Sequence, residues 1–302
     1  MGEQPVRIGV VAPACGMESA TAERVSALAA AAYGARAELR FHPQCFLKSG
    51  HFAGDDAARA AAFVETANDP EIDAVWFGRG GYGSNRLLET ALPALGPVAG
   101  AKTYLGYSDM GALLAGLYVR HIGQVAHGPM PQDIVRPGGE AAVTRALAWL
   151  VDRDPKALEP SIGQKAWPCA AFNMAVFSAI LATPWQPDLE GHVLMLEEVG
   201  EYMYRIDRFM FHITSNPDVR RAAGIRLGRC SDIPPNDPDF VLTEEQVVEG
   251  WCKRAGITYL GRADIGHDAD NRIVPFGRSR HRPPVHHDRR DAVKGRAREW
   301  PP

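Results

Sequence analysis

Along the first half of the chain, short apolar runs alternate with longer stretches whose apolar residues recur at helical spacing. Arg7-Ile8-Gly9-Val10-Val11-Ala12-Pro13 is apolar, β-branched and closed by proline, the pattern of a buried parallel strand. Ser19 to Tyr33 is alanine-rich and predicts a helix, with Ser19 or Thr21 available as its cap. Ala37 to His42 alternates and predicts a strand; Asp55 to Asn68 predicts a helix. Asp73 to Phe77 predicts a further strand, stopped by Gly78-Arg79-Gly80-Gly81-Tyr82-Gly83. Asn85 to Leu92 predicts a helix, and Lys102 to Leu105 a strand running straight into Gly106-Tyr107-Ser108-Asp109. Met110 to His121 predicts the helix after it. This alternation predicts an α/β fold, a parallel sheet with helices on both faces. In such sheets ligands bind beyond the carboxyl ends of the strands, where the turns at 78–83 and 106–109 both fall.

The pattern weakens between Pro137 and Pro168, where one helix (Ala141 to Val151) precedes a charged stretch containing prolines. The expected organisation is an N-terminal α/β domain over 1–136, a connection over 137–168 and a smaller C-terminal α+β domain over 169–277. In the last of these, Met174 to Ala182, Arg205 to Thr214 and Glu244 to Ala255 predict helices. Val193 to Leu196, Gly224 to Leu227, Thr258 to Leu260 and Ile273 to Val274 predict strands. Residues 278–302 form a basic, polar tail with almost no strand-forming residues, and disorder is expected there.

Composition acts mainly by exclusion. The 302 residues carry a formal net charge of −3, so no global field draws the protein to nucleic acid. No apolar run approaches the roughly 20 residues that span a bilayer, so no membrane partner is expected. The cysteines Cys15, Cys45, Cys169, Cys230 and Cys252 are scattered and odd in number, with no CxxC pair. That pattern argues against a disulfide framework and against a metal site, and for reduced thiols in the cytoplasm.

Ser108 stands between a predicted strand and a predicted helix, where a sharp turn would lift its hydroxyl above the sheet. The competing reading is ordinary helix capping by Ser108 or Asp109. The glycine-rich turn at 78–83 offers backbone N–H groups for half of an oxyanion hole or for an anion, and a plain tight turn is equally compatible. Ser84-Asn85 lacks the lysine that a P-loop requires. A serine nucleophile needs a base and the base an orienting group. Among the histidines, His127 stands at a strand end before Gly128-Pro129 and His267 follows a short predicted strand, whereas His51, His121 and His212 have no telling neighbour and His281, His286 and His287 lie in the tail. Glu197 ends an apolar strand near Glu198, Glu201 and Asp207, and such a carboxylate is more often structural than catalytic, here through an ion pair with Arg205 or Arg208.

From Ile8 to about Gly277 these landmarks, in this order, resemble the LD-carboxypeptidase family, the murein tetrapeptide carboxypeptidases. The landmarks are Ala12-Pro13, Phe52-Ala53-Gly54, Arg79-Gly80-Gly81-Tyr82-Gly83, Gly106-Tyr107-Ser108-Asp109, Gly128-Pro129-Met130 and Thr183-Pro184-Trp185. They continue with Leu196-Glu197-Glu198-Val199-Gly200-Glu201, Tyr204-Arg205-Ile206-Asp207-Arg208, Pro235-Asn236-Asp237, Gly266-His267 and Pro275-Phe276-Gly277. The resemblance implies Ser108 as nucleophile, Glu197 as orienting carboxylate and His267 as general base. It implies oxyanion donors from the Asp109 N–H and from the Gly80-Gly81 turn. It also implies a cytoplasmic enzyme, often a homodimer, that needs no metal or cofactor and takes D-alanine from a murein peptide substrate. Two departures stand out. Ala171-Phe172-Asn173 replaces the family's Gly-Gly-Asn, so Phe172 is expected to reshape a loop near the pocket. The basic tail replaces the expected final strands. The alternatives are a self-immunity hydrolase of the same fold acting on peptide–nucleotide antibiotics, and a non-catalytic binding protein for a small anion.

Overall fold

The computed structural model describes residues 4–164 and 167–278; the tail for which disorder was expected lies outside these apart from Arg278. The elements run in the order β1 (Val6–Val11), α1 (Ser19–Tyr33), β2 (Ala37–Phe41), α2 (Asp56–Asn68), β3 (Ala74–Phe77), α3 (Leu88–Ala91), β4 (Thr103–Gly106), α4 (Gly111–Val119) and β5 (Gln124–His127). After α5 (Gly139–Asp152) come β6 (Cys169–Asn173), α6 (Met174–Ile180), β7 (Val193–Val199), α7 (Met203–Ser215), β8 (Gly224–Ser231), α8 (Glu244–Ala255), β9 (Tyr259–Arg262) and β10 (Val274–Pro275).

The predicted α/β class is the class found. One sheet has the order β10-β5-β4-β3-β1-β2, with β1 to β5 parallel and β10 antiparallel on β5, Val274 opposite His127. The other has the order β6-β7-β8-β9 and is parallel throughout. The C-terminal part therefore alternates strand and helix as the first does, rather than mixing them as an α+β unit would. Its first strand, β6, hides in Cys169-Ala170-Ala171-Phe172-Asn173, where two alanines give no strand signal. β5 is only four residues long, too short to show a period.

Two local expectations give way to backbone chemistry. The cap position of α1 is Glu18 with no side-chain cap bond, so neither Ser19 nor Thr21 serves. The helix predicted over 85–92 is one four-residue turn, α3, between two 3₁₀ turns, the second of which contains Pro93, a residue without the N–H that an α-helix needs. By contrast α2 is capped as its sequence suggests, the Asp55 side chain accepting from Ala58 N–H at 2.8 Å.

Helix α5 falls within the predicted connection and packs against the first sheet. Its Val143, Ala146, Leu147 and Leu150 share one buried cluster with Ile8, Val10, Trp76 and Leu105. A larger cluster joins α4 to the second sheet through Leu113, Leu117, Phe172, Phe177 and Leu196. Along β7 the side chains alternate. Val193 and Met195 join Ile265 and Val274, whereas Leu194 and Leu196 join the cluster of Phe177, Ile206 and Val248. The two-residue period then sends Glu197 to the first set and Glu198 to the second.

Candidate active site

All four residues of β4 are buried, and the chain leaves the strand through a position where only glycine fits. A Cβ on Gly106 would meet Phe77 Cδ2 at 2.8 Å and Met110 Cβ at 3.2 Å. Two residues later Ser108 sits at φ 60°, in the left-handed region. A non-glycine residue is held there at a cost of about 1–3 kcal/mol, and such strain collects at functional turns. The backbone then enters a 3₁₀ turn, Ser108–Met110, and α4.

Neither Ser108 nor Asp109 acts as a helix cap. The Ser108 hydroxyl points to His267, Oγ lying 2.9 Å from Nε2. Asp109 is buried and turned toward the next loop, its carboxylate accepting from Ser84 N–H at 2.9 Å and its carbonyl from the Ser84 hydroxyl at 2.5 Å. Burial raises the Asp109 pKa against those bonds.

The turn after β3 lies against the serine. A Cβ on Gly80 would stand 3.0 Å from both Cβ and Oγ of Ser108. Gly81 has φ 115°, and a Cβ there would fall 2.3 Å from the Cys15 sulfur. Gly80 thus brings bare backbone to the hydroxyl, and Gly81 brings it to Cys15.

His267 comes from the loop after β9, on the other half of the chain. Its Nδ1 donates to Oε2 of Glu197 at 2.6 Å, which leaves Nε2 to accept from the Ser108 hydroxyl. Both partners are buried, His267 to 8% exposure and Glu197 to 0%. Burial opposes charge on His267, and the adjacent Glu197 carboxylate outweighs it, so the imidazole pKa is raised above 6.5. Glu197 is a mid-strand residue, not a strand end, and sits where the β7–β8 register shifts between Leu196 and Glu198. Gly228 makes room for it, since a Cβ there would be 2.8 Å from Glu197 Cβ.

The histidine loop is strapped from several sides. Arg229 pairs with Asp264 at 3.1 Å and with both carboxylate oxygens of Asp268. Arg145 donates to the carbonyls of Ala269 at 2.8 Å and Asn271 at 2.9 Å. Arg136 donates to the carbonyl of His267 itself. Asn271 accepts from Gly266 N–H at 3.3 Å and lies 3.2 Å from Nε2 of His127.

The remaining candidates are engaged elsewhere. His127 is buried, and desolvation lowers its pKa to about 4, so it is a neutral packing residue beside Tyr107. His51 lies 3.4 Å from the Cys15 sulfur and His212 bonds Ser178. Arg205 pairs with Glu201, Asp207 accepts from Trp251, and Arg208 lies over the Tyr204 ring, so Glu197 pairs with a histidine instead. Arg79 donates to the carbonyl of Gly16 at 2.8 Å. Glu198 accepts from Asn173 at 2.6 Å and from the N–H groups of Ala175 and Val199 at 2.9 Å, and burial pushes its pKa up to about 7. Phe172, expected in a loop near the pocket, is instead a core residue of β6, stacked on Phe177 at 4.8 Å and edge-on to Phe276 at 5.0 Å. Among the described residues no group of three or more His, Cys, Asp or Glu could hold a metal ion, and the five cysteines are free. No described helix is long and apolar enough to cross a membrane.

Tyr107, Asp133, Arg136 and Asn271 were not singled out by the sequence. Only Tyr107 carried a signal, its place beside the serine in the elbow.

Comparison with known proteins bears on both halves of this arrangement. The family model described as the LD-carboxypeptidase N-terminal domain matches residues 8–128, and the one described as the LD-carboxypeptidase C-terminal domain matches 170–281. A Synechocystis sp. protein bearing a carboxypeptidase name is 32% identical over 234 residues, 76% of this chain and 75% of its own. The murein tetrapeptide carboxypeptidase of Pseudomonas aeruginosa is 27% identical over 245 residues, 76% of this chain and 78% of its own. Among solved structures, muramoyltetrapeptide carboxypeptidase from Oxalobacter formigenes superposes with a TM-score of 0.72 at 22% identity, covering 90% of this chain and 96% of that one. The microcin C7 self-immunity protein MccF, in complex with aspartyl sulfamoyl adenosine, gives 0.73 at 17% identity over 92% of each chain. At these identities the two structures speak for the fold alone.

Proposed function

This chain belongs to the LD-carboxypeptidase family, and we propose from the geometry around Ser108 that it is a serine peptidase removing the terminal D-alanine from murein tetrapeptides. The observation that carries the reading is one hydrogen-bonded chain from the strained Ser108 through His267 to the buried Glu197. Nucleophile, base and orienting carboxylate need this connectivity, and a structural ion pair does not.

In the proposed reaction His267 Nε2 takes the Ser108 proton as Oγ attacks the carbonyl carbon of the bond to D-alanine. Glu197 stabilises the imidazolium and holds the ring with Nδ1 protonated. The developing oxyanion is met by the N–H of Asp109 and one from the Gly80-Gly81 turn, each worth about 2.7–4 kcal/mol in such a site. His267 returns the proton to the departing amine as the C–N bond breaks. Water then attacks the acyl-enzyme, giving its proton to His267, which passes it to Ser108 Oγ as the ester C–O bond breaks, and the tripeptide leaves as a carboxylic acid. The nucleophile belongs to the proposed N-terminal domain, 1–136, and the base and carboxylate to the C-terminal one, 169–277, joined by 137–168. The reading includes a cytoplasmic, homodimeric enzyme, as the family resemblance implies.

D-Alanine release from a purified murein tetrapeptide, followed by mass spectrometry, tests this. Release by the wild type and none by Ser108→Ala is the expected result. No release by the wild type would overturn the murein reading. Hydrolysis of an aminoacyl sulfamoyl nucleoside in its place would transfer the same machinery to the self-immunity reaction.

A further inference from the structure

We propose that Asp133 is a positioning residue that aligns base and nucleophile, its single buried carboxylate tying Tyr107, next to Ser108, to Arg136, which grips the backbone of His267. The inference rests on reading Ser108 and His267 as nucleophile and base. Asp133 follows β5 in a 3₁₀ turn, Pro131–Val135, and is 3% exposed. Its Oδ1 accepts from the Tyr107 hydroxyl at 2.7 Å and forms an ion pair with Arg136, whose Nε lies 3.1 Å away. Its Oδ2 accepts from Met130 N–H at 2.8 Å, which holds the turn in place. Arg136 then reaches across to the second half of the chain and donates to the carbonyl of His267. The Tyr107 ring lies against the His267 imidazole, centroids 4.8 Å apart. A closed circuit results, running from the residue beside the nucleophile through Asp133 and Arg136 to the base, and back through the ring contact.

Glu197 fixes one end of the imidazole, but it fixes neither the backbone of His267 nor the orientation of the elbow. The circuit does both from one point. Its physical effect is on distance, because displacement of a reacting pair by about 1 Å can cost a hundredfold in rate. The charged and titratable groups around His267 are Glu197 on β7, Asp133 and Arg136 after β5, His127 at the end of β5, Tyr107 after β4, and Asp268 beside it in the loop, paired with Arg229 of β8. Of these, Asp133 favours the imidazolium and Arg136 disfavours it.

The test is the rate at which an alkyl fluorophosphonate labels Ser108, measured against pH, which needs no knowledge of the natural substrate. Tyr107→Phe keeps the ring and removes only the hydroxyl, and Arg136→Met removes the grip on His267. Each should label about tenfold more slowly in protein that its melting curve shows to be folded at the assay temperature, and the double variant should be little slower than either single one. The rising limb of the pH profile should move up in Arg136→Met and down in Asp133→Asn, opposite shifts that a loss of folded protein cannot produce. Unchanged rates, multiplicative losses in the double variant, or limbs that stay in place would overturn the positioning role while leaving Ser108 as nucleophile. A wild type that labels no faster than Ser108→Ala would overturn the nucleophile and this inference with it.

Discussion

Gly80 and Ser108 meet as backbone against hydroxyl, since a Cβ on Gly80 would stand 3.0 Å from Ser108 Oγ. The turn after β3 and the elbow after β4 are neighbours because β3 and β4 pair in parallel, Trp76 opposite Leu105, so both chains leave the sheet at the same edge. Gly80→Ala should therefore strike the reaction and spare the fold. The added methyl must push either the hydroxyl or the turn, and loss of one oxyanion donor lowers kcat by about 10²–10³. D-Alanine release together with a melting curve checks this. A large fall in melting temperature would show that the glycine serves the fold first.

Glu197→Gln should lower turnover by about 10⁴, the scale seen when a triad carboxylate becomes an amide that can stabilise the wrong tautomer. The pH dependence has a definite sign. In the proposed reaction His267 must be neutral to accept the serine proton, and its pKa is raised because Glu197 outweighs burial. The rising limb of kcat/KM therefore sits above the ordinary imidazole value of about 6.5. In Glu197→Gln burial loses its main opponent and the limb moves down. A limb that stays in place would remove Glu197 from the base's surroundings.

Glu198 should make stability fall with pH. Its pKa is raised by burial to about 7 from an ordinary 4.5, so the folded protein holds a proton that the unfolded chain releases. The proton-linked stabilisation is full below the unfolded value and is lost as pH climbs through the folded one. A displacement of this size corresponds to about 3 kcal/mol. Urea unfolding of wild type and Glu198→Gln at pH 5 and pH 8 isolates it. The difference in stability between the two should change by about that amount in favour of the variant at the higher pH.

Phe172→Ala should cost about 3–5 kcal/mol of stability, the ordinary penalty for emptying a buried aromatic site. It should leave the preference among murein peptides unchanged, because the ring packs on Phe177 and Phe276 in the core. Chemical denaturation and a panel of tetrapeptides with different third residues check the two halves. A changed preference would restore Phe172 to the pocket.

Much of this was legible in the chain. Strand and helix periods predicted the α/β class, and most elements lie within a few residues of their expected places, because buried strands and one-sided helices impose patterns that local composition records. Ser108 could be read as a candidate because an elbow is local, a strand, a glycine and a serine in sequence. Its likeness to the family extended that to Glu197 and His267. The elements that composition misjudged are those fixed by neighbours, namely β6, where two alanines lie between packed layers, and β5, four residues held in the sheet between β4 and β10.

What the sequence could not decide was who pairs with whom. Glu197 had Arg205 and Arg208 nearby in the chain, and a local ion pair was the better explanation; Arg205 instead pairs with Glu201, four residues before it, and tertiary packing brings His267 to the Glu197 carboxylate. Asp133 carried no signal at all, because its meaning lies in joining Tyr107 to the backbone of a residue 134 positions further on (267 − 133). The sequence by itself determined the class of fold and the nucleophile candidate, since both are written in local periods and short motifs. The tertiary structure alone decided the partners of the serine, because charge, burial and hydrogen-bond geometry act through space and leave no period along the chain.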